Sequence, residues 1–400
     1  MKRFGALFLM LCFSLCISFT ATSQDEEATK GYKFTDKVEV KYTPVKNQHR
    51  SGTCWSYSGL ALIESDMLKE GKPEINLSPM YIVRNAYSDK ATKYVRFHGN
   101  LNFAAGGSFY DVIETIKRYG IVPEETYPGL NYGEDMNVHG ELDEVTKAYV
   151  DAVIKNKNRK LSTAWKAGFD GILDAYFGAK PETFSYNGKE YTPESFVKSL
   201  GVNLNDYIYI SSFTHHPFYE KFIIEVPDNW AFGEVYNLPL DIFMSIFDHA
   251  LENEYAIAWA SDVSEKGFSY QNGLAIVPEA NIDEMNDSEK LKWTTLSAKE
   301  KENQLYSFDK PGKEKTITQE MRQEAFDNYS TTDDHGMLIV GIAYDQDGNK
   351  YYKVKNSWGT NDKYNGFFYA SEAFVRYKTM SIMINKNALP KQIAKKLNLK

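Results

Sequence analysis

Beyond residue 23 the chain carries a single cysteine. Three occur in all, Cys12, Cys16 and Cys54, and the first two lie in an N-terminal apolar run. That run opens with Lys2 and Arg3, continues from Phe4 to Phe19 through Leu7, Leu9, Leu11, Phe13, Leu15 and Ile17, and ends in small residues 20–23 ahead of Asp25, Glu26 and Glu27. The layout predicts a secretory signal peptide over residues 1–23, and with it export to the periplasm or beyond the cell. A membrane anchor suits the run less well, because it is shorter than the ~20 residues a spanning helix needs. Once residues 1–23 are removed, no internal disulfide can form. Exported proteins usually pair their cysteines or do without them. A lone thiol kept in that setting is either a reactive group or an inert buried one.

The length of 400 residues allows one large domain with an insertion, or two ordinary domains. A net charge of −8 argues against a nucleic-acid-binding surface. No segment after the first is apolar enough to span a membrane, so no stable membrane insertion is expected after cleavage.

Along the chain, residues 24–40 are polar and read as a loose N-terminal arm. Leu60, Leu62, Ile63 and Met67 recur at helical spacing between Trp55 and Glu70, and Gly71 and Pro73 stop the helix. Cys54 is thereby placed at a helix N-terminus. A second helix is expected over Ser108–Tyr119. Residues 131–252 read as mainly helical, with candidates at Val145–Ile154, Ser162–Tyr176, Thr192–Leu200 and Leu240–Leu251, separated by turn signals that include Asp228, Asn229 and Gly233. Glu254–Ala260 reads as a buried strand, and residues 282–327 as an acidic surface excursion with helical pieces. Met337–Tyr344 and Lys350–Asn356 read as a hairpin around a turn at residues 345–349. Phe367–Ala370 is a third strand, and residues 391–400 form a short basic tail.

The hairpin carries chemistry. His335 precedes its outgoing strand and Asn356 ends its returning one, so the two come roughly opposite each other. An Asn carboxamide can accept a hydrogen bond from one imidazole nitrogen, fix the ring, and leave the other nitrogen for a thiol. The same pair also suits a surface histidine beside a turn asparagine. Trp358 stands where it could cover them. A helix N-terminus offers Cys54 partial positive charge and unpaired N–H groups, which favour a thiolate able to attack a carbonyl and form an acyl-enzyme. The oxyanion needs donors. The Cys54 N–H is one, and the Gln48 side chain is a candidate for the second.

These segments resemble those of the papain superfamily of cysteine peptidases. Gln48-His49-Arg50-Ser51-Gly52-Thr53-Cys54-Trp55 resembles the nucleophile segment, Asp334-His335-Gly336 the histidine segment, and Asn356-Ser357-Trp358-Gly359 the asparagine segment. Two departures from the common pattern, Ser51 in place of a cysteine and an insertion of about 130–150 residues before the histidine, resemble the bleomycin hydrolase and bacterial aminopeptidase C branch. Leu77-Ser78-Pro79, Tyr81, Ala105-Gly106-Gly107-Ser108 and Tyr119-Gly120-Ile121-Val122-Pro123 extend the similarity. The resemblance implies an α+β, two-lobed fold: a helical lobe over 41–130 with the nucleophile, a mainly helical insertion over 131–252, and an antiparallel, barrel-like β lobe over 253–390 with the histidine and asparagine. It implies catalytic roles for Cys54, His335, Asn356 and Gln48, and substrate contacts from Gly106, Gly107 and Trp358. It implies peptide substrates and an aminopeptidase-like mode, with a homo-oligomer, a hexamer in this branch, as an open possibility.

In that branch the C-terminus enters the cleft and its carboxylate holds the substrate amine. The tail here is short and basic, so an endopeptidase mode stays open, as do an inactive peptide-binding scaffold and an acyl transferase. No cofactor and no metal are expected. His215 and His216 are adjacent, but neighbours in a loop rarely share one ion, and no paired carboxylate motif accompanies them.

Overall fold

The computed structural model describes residues 31–280 and 282–399. The signal peptide expected over 1–23 lies outside these residues. The strands are β1 (Thr35–Glu39), β2 (Phe184–Tyr186), β3 (Lys189–Tyr191), β4 (Tyr207–Ser211), β5 (Lys221–Ile223), β6 (Glu234–Asn237), β7 (Ile257–Ser261), β8 (Phe268–Ser269), β9 (Leu274–Ala275), β10 (His335–Tyr344), β11 (Lys350–Lys355), β12 (Phe367–Ser371) and β13 (Thr379–Asn385). The helices that position the site are α1 (Cys54–Lys69), α2 (Pro79–Arg96), α3 (Phe109–Tyr119), α4 (Gly140–Ile154), α5 (Ala164–Phe177), α6 (Pro193–Leu200) and α7 (Leu240–Glu252).

Helix α1 is the pivot. It packs against α2 and α3 on one side and against β10 and β7 on the other. Every residue from Trp55 to Met67 is buried, which is why its apolar stripe is broad rather than one-sided. Burying a side chain such as Leu62 or Ile63 contributes roughly 1.5–3 kcal/mol. Buried Glu64 accepts from Thr43 Oγ1 at 2.6 Å, Lys46 Nζ at 3.2 Å and the Leu77 N–H at 2.8 Å. One carboxylate thereby ties the segment leading to Cys54, and the start of α2, to the central helix.

Helix α2 went unread in the sequence. Its start signal was present: Ser78 caps it by accepting from the Tyr81 N–H at 3.0 Å, and Pro79 occupies its first turn. The helix is buried on nearly all sides, so no apolar face stood out.

Eleven strands form one sheet in the order β5-β6-β4-β13-β7-β10-β11-β12-β9-β8, with β1 also paired to β10. The centre is antiparallel, β13–β7–β10–β11–β12. The β10–β11 turn forms as expected: Asp345 Oδ1 accepts from the N–H groups of Asp347 and Asn349, each at 2.9 Å.

Two expectations are corrected. Thr35–Glu39 is not part of a loose arm; it pairs along the far half of β10, Thr35 opposite Tyr344, where exposed edge N–H and C=O groups would otherwise lack partners. The segment 131–252 is not one mainly helical insertion. Helices α4, α5 and α6 form as expected, with α4 and α5 against α2 and α6 against α3, but β4, β5 and β6 join the main sheet and α7 packs on β10, β7 and β1. Short strands of mixed burial, such as Lys221–Ile223, carry too little alternation to be seen without their neighbours.

Candidate active site

Cys54 is the first residue of α1, and Thr53 before it makes no side-chain capping bond. The approach is set by Gly52, whose φ of +64° favours glycine and whose Cβ, if present, would lie 2.8 Å from that of Ala105. The Cys54 N–H has no backbone partner among the described residues, as the first N–H groups of a helix lack one within the helix.

The sheet delivers the base. His335 opens β10 opposite Ser261 of β7, and its Nε2 lies 2.8 Å from Asn356 Oδ1. With the proton on Nε2 donated to that oxygen, Nδ1 is the nitrogen left over. Trp358 stacks on the ring, centroids 4.6 Å apart and planes at 23°, and is flanked by Phe268 and Tyr270. The sheet reaches the helix at Gly336. A Cβ there would sit 2.8 Å from Ser58 Oγ and 3.3 Å from the Trp55 Cα. This close approach sets the Gly336 N–H beside the Cys54 sulfur, where it and the N–H of Trp55 favour the ionised form of the thiol. Cys54 and His335 line the same two cavities.

Burial dominates the titration of both groups. It pushes the Cys54 thiol up to about 12, against the pull of the Gly336 N–H, with Asp333 and Asp228 adding to the rise. It pushes His335 down to about 4, against the Asn356 bond and Asp334. Helix-terminal amides alone therefore do not make Cys54 a thiolate, contrary to the expectation from its position. Burial thus disfavours the charged form of each group taken singly.

Gln48 is buried beside this pair. Its backbone N–H donates to the Ser357 carbonyl at 2.8 Å, and its Oε1 accepts from Ser357 Oγ at 2.7 Å. The side-chain Nε2 is left without a partner among the described residues, in a cavity that Gln48 and Cys54 both line. Gly106 and Gly107 also border the cleft. Trp55 anchors their segment through Nε1 to the Ala105 carbonyl at 3.1 Å, and buried Lys90 donates to the carbonyls of Ala104 and Gly106.

A residue read only as a turn signal proves to belong here. The Asp228 carboxylate lies directly over Gly106, where a Cβ would collide with it, and lines both cavities with Cys54 and His335. Its Oδ1 accepts from Asn102 Nδ2 at 3.1 Å. Burial raises its pKa, while Lys90 opposes the rise. Asp333 and Asp334 face the same cavity. The C-terminal tail stands elsewhere: Ile393 and Leu397 are buried in the core and Lys396 reaches Tyr219, and neither cavity lined by Cys54 includes a residue beyond Ser381.

Residues 16–400 match the model of the Peptidase C1-like family. The chain belongs to that family. It is a papain-like cysteine peptidase. Aminopeptidase C of Streptococcus thermophilus is 22% identical over 399 residues, covering 89% of this chain and 83% of that protein. Aminopeptidase C of Lactobacillus delbrueckii subsp. lactis is 23% identical over 415 residues, covering 93% and 86%. The crystal structure of PepW from Lactobacillus rhamnosis shares the fold, with a TM-score of 0.69 at 21% identity over 94% of this chain and 87% of that one.

Proposed function

We propose that this peptidase is an aminopeptidase in which Cys54 is the nucleophile, His335 the general base and acid, Asn356 the group that orients the imidazole, and Gln48 an oxyanion donor. The Cys54 thiol passes its proton to His335 Nδ1, and the sulfur adds to the substrate carbonyl. The oxyanion receives bonds from the Cys54 N–H and Gln48 Nε2. Collapse expels the amine, which takes the proton from the imidazolium, and leaves a thioester. Water, deprotonated by His335, cleaves the thioester and releases the acid, and the proton returns to sulfur. Trp358, stacked on the ring, keeps water from the His335–Asn356 bond.

The observation that carries the aminopeptidase reading is Asp228 over Gly106. An extended peptide running along the Gly106–Gly107 edge meets a carboxylate where a longer chain would continue. A free ammonium ends there and pairs with it. The relatives bear the name aminopeptidase C, which agrees. The basic tail does not serve as the anchor in this reading, since residues 386–399 pack away from Cys54.

One peptide digested free and N-acetylated, with mass analysis, tests the mode. Stepwise loss from the free form alone is expected; internal cuts in both forms would make the protein an endopeptidase. Asp228→Asn is expected to raise KM for the free peptide about tenfold, as loss of one desolvated charge pair of about 1.4 kcal/mol would, and to leave the acetylated peptide uncleaved. Export through residues 1–23 is part of the same proposal, and N-terminal sequencing of the secreted or periplasmic protein checks it.

A further inference from the structure

Away from the cleft, on the connection between β4 and β5, the adjacent His215 and His216 do what neighbours in a strand cannot. In an extended chain their side chains would point to opposite faces. Here the chain turns, and the two rings stand 4.6 Å apart between centroids. Both aim at one carboxylate that arrives from just beyond β5: His215 Nε2 lies 3.1 Å from Glu225 Oε2, and His216 Nε2 lies 3.0 Å from Glu225 Oε1. The ligand atoms of all three residues lie within 4.8 Å of one another. The carboxylate that the sequence failed to show beside the histidine pair is supplied by folding.

We propose that His215, His216 and Glu225 form a binding site for a divalent transition cation of the zinc class. Three observations support it. First, the spacing suits an ion. Ligands about 2.0–2.1 Å from a tetrahedral ion stand about 3.3 Å apart, close to the nitrogen–oxygen separations here, so small side-chain rotations admit the metal. Second, the rings are held. His215 stacks on Phe326 at 15° and His216 on Phe222 at 25°. His215 Nδ1 faces the Gln323 amide, Nε2 at 3.0 Å and Oε1 at 3.4 Å. That amide is itself fixed by the Thr214 N–H and by Asp327. It can donate to Nδ1 when Nε2 carries the proton, or accept from it when a metal has displaced that proton, as partners of ligating histidines do. Third, two imidazoles with one carboxylate select zinc, cobalt or nickel over magnesium or calcium, which prefer oxygen-only shells. His215 and Glu225 are exposed and His216 half-buried, so water completes the coordination.

The position gives the ion a role beyond the established chemistry. Glu225 lies between Ile224 and Val226, which with Asp228 line the cavity that holds Cys54. An ion at this site clips the segment 224–228 to the His215–His216 loop and, through Gln323, to the helix Gln319–Asp327. It acts as a brace behind one wall of the cleft.

The test uses the full chain as Cys54→Ala, because a thiol beside an imidazole can itself take up zinc. Chelator-treated protein is titrated with zinc chloride by calorimetry, and Tm is followed with and without the metal. One-to-one binding with a rise in Tm is expected, with at least about tenfold weaker binding for Glu225→Gln and for His216→Ala and no response to magnesium. Metal-free Tm values within a few degrees of the parent show that the variants fold. Absence of zinc binding in the parent, or undiminished binding in His215→Ala/His216→Ala, would overturn the proposal and leave a hydrogen-bonded His–Glu–His cluster only.

Discussion

On the helical side of the cleft Cys54 is placed by its neighbours in sequence: the turn at Gly52, the uncapped start of α1, and Glu64 two to three turns on, which holds the approaching loop. On the sheet side, His335 owes its place to Ser261 across from it on β7, to Asn356 at the end of β11 and to Trp358 beyond. The two sides meet at Gly336 against Trp55 and Ser58, and at Gln48 against Ser357. A local device therefore presents the sulfur, a long-range assembly presents the imidazole, and the contact between them is narrow enough to be broken at single positions.

The most severe break is at the sulfur. Cys54→Ala is expected to lower kcat by at least about a thousandfold, with an unchanged circular dichroism spectrum because no packing element is lost; residual full activity would dismiss the thiol mechanism. Gln48→Ala spans the two sides and is expected to lower kcat about 10²- to 10³-fold, as loss of an oxyanion donor does. A change in KM alone would show that Gln48 merely packs against Ser357. Gly336→Val pushes the sheet off the helix at their tightest contact. Kinetics on the folded variant should show about a hundredfold loss, the usual scale for a displacement near 1 Å at reacting groups, and normal turnover would mean that the contact does not set the sulfur–imidazole approach.

The smallest effect sharpens the contrast through stability. Glu314, on the sheet side, accepts from the Val277 N–H at 2.7 Å and from Ser371 Oγ at 2.6 Å. Burial pushes its carboxyl up to about 7, against both bonds. The folded state then holds a proton that the unfolded state has released from about pH 4.5 upward, so this group's contribution is full below that pH and declines as pH rises to about 7. Glu314→Gln should reduce the fall in unfolding free energy between pH 5 and 7.5 by on the order of 1–2 kcal/mol, read by urea denaturation at the two pH values. An identical fall in both proteins would show that other carboxyls, such as Asp111 of the helical side, which burial also raises to about 7, carry the dependence.

Much of this was legible beforehand where local signals were strong. The helix after Cys54, the turn at Asp345–Asn349 and the pairing of His335 with Asn356 each follow from spacing along a short stretch, and each appears as read. Helix α2 was missed because burial all round erased its stripe, although Ser78 and Pro79 marked its start. Strands β4, β5 and β6 were missed because their alternation is short and their partners lie far along the chain. Asp228 looked like any turn aspartate; nothing within a few residues of it indicates Gly106.

The chain's one-dimensional order already contained the chemical groups, their secondary structure and their pairing across a single hairpin, because those depend on interactions between residues near in sequence. Folding alone brought a carboxylate over the glycine edge, joined Glu225 to two histidines, and raised the thiol while lowering the imidazole. Such outcomes depend on desolvation and on contacts between distant segments, and a linear pattern has no term for either.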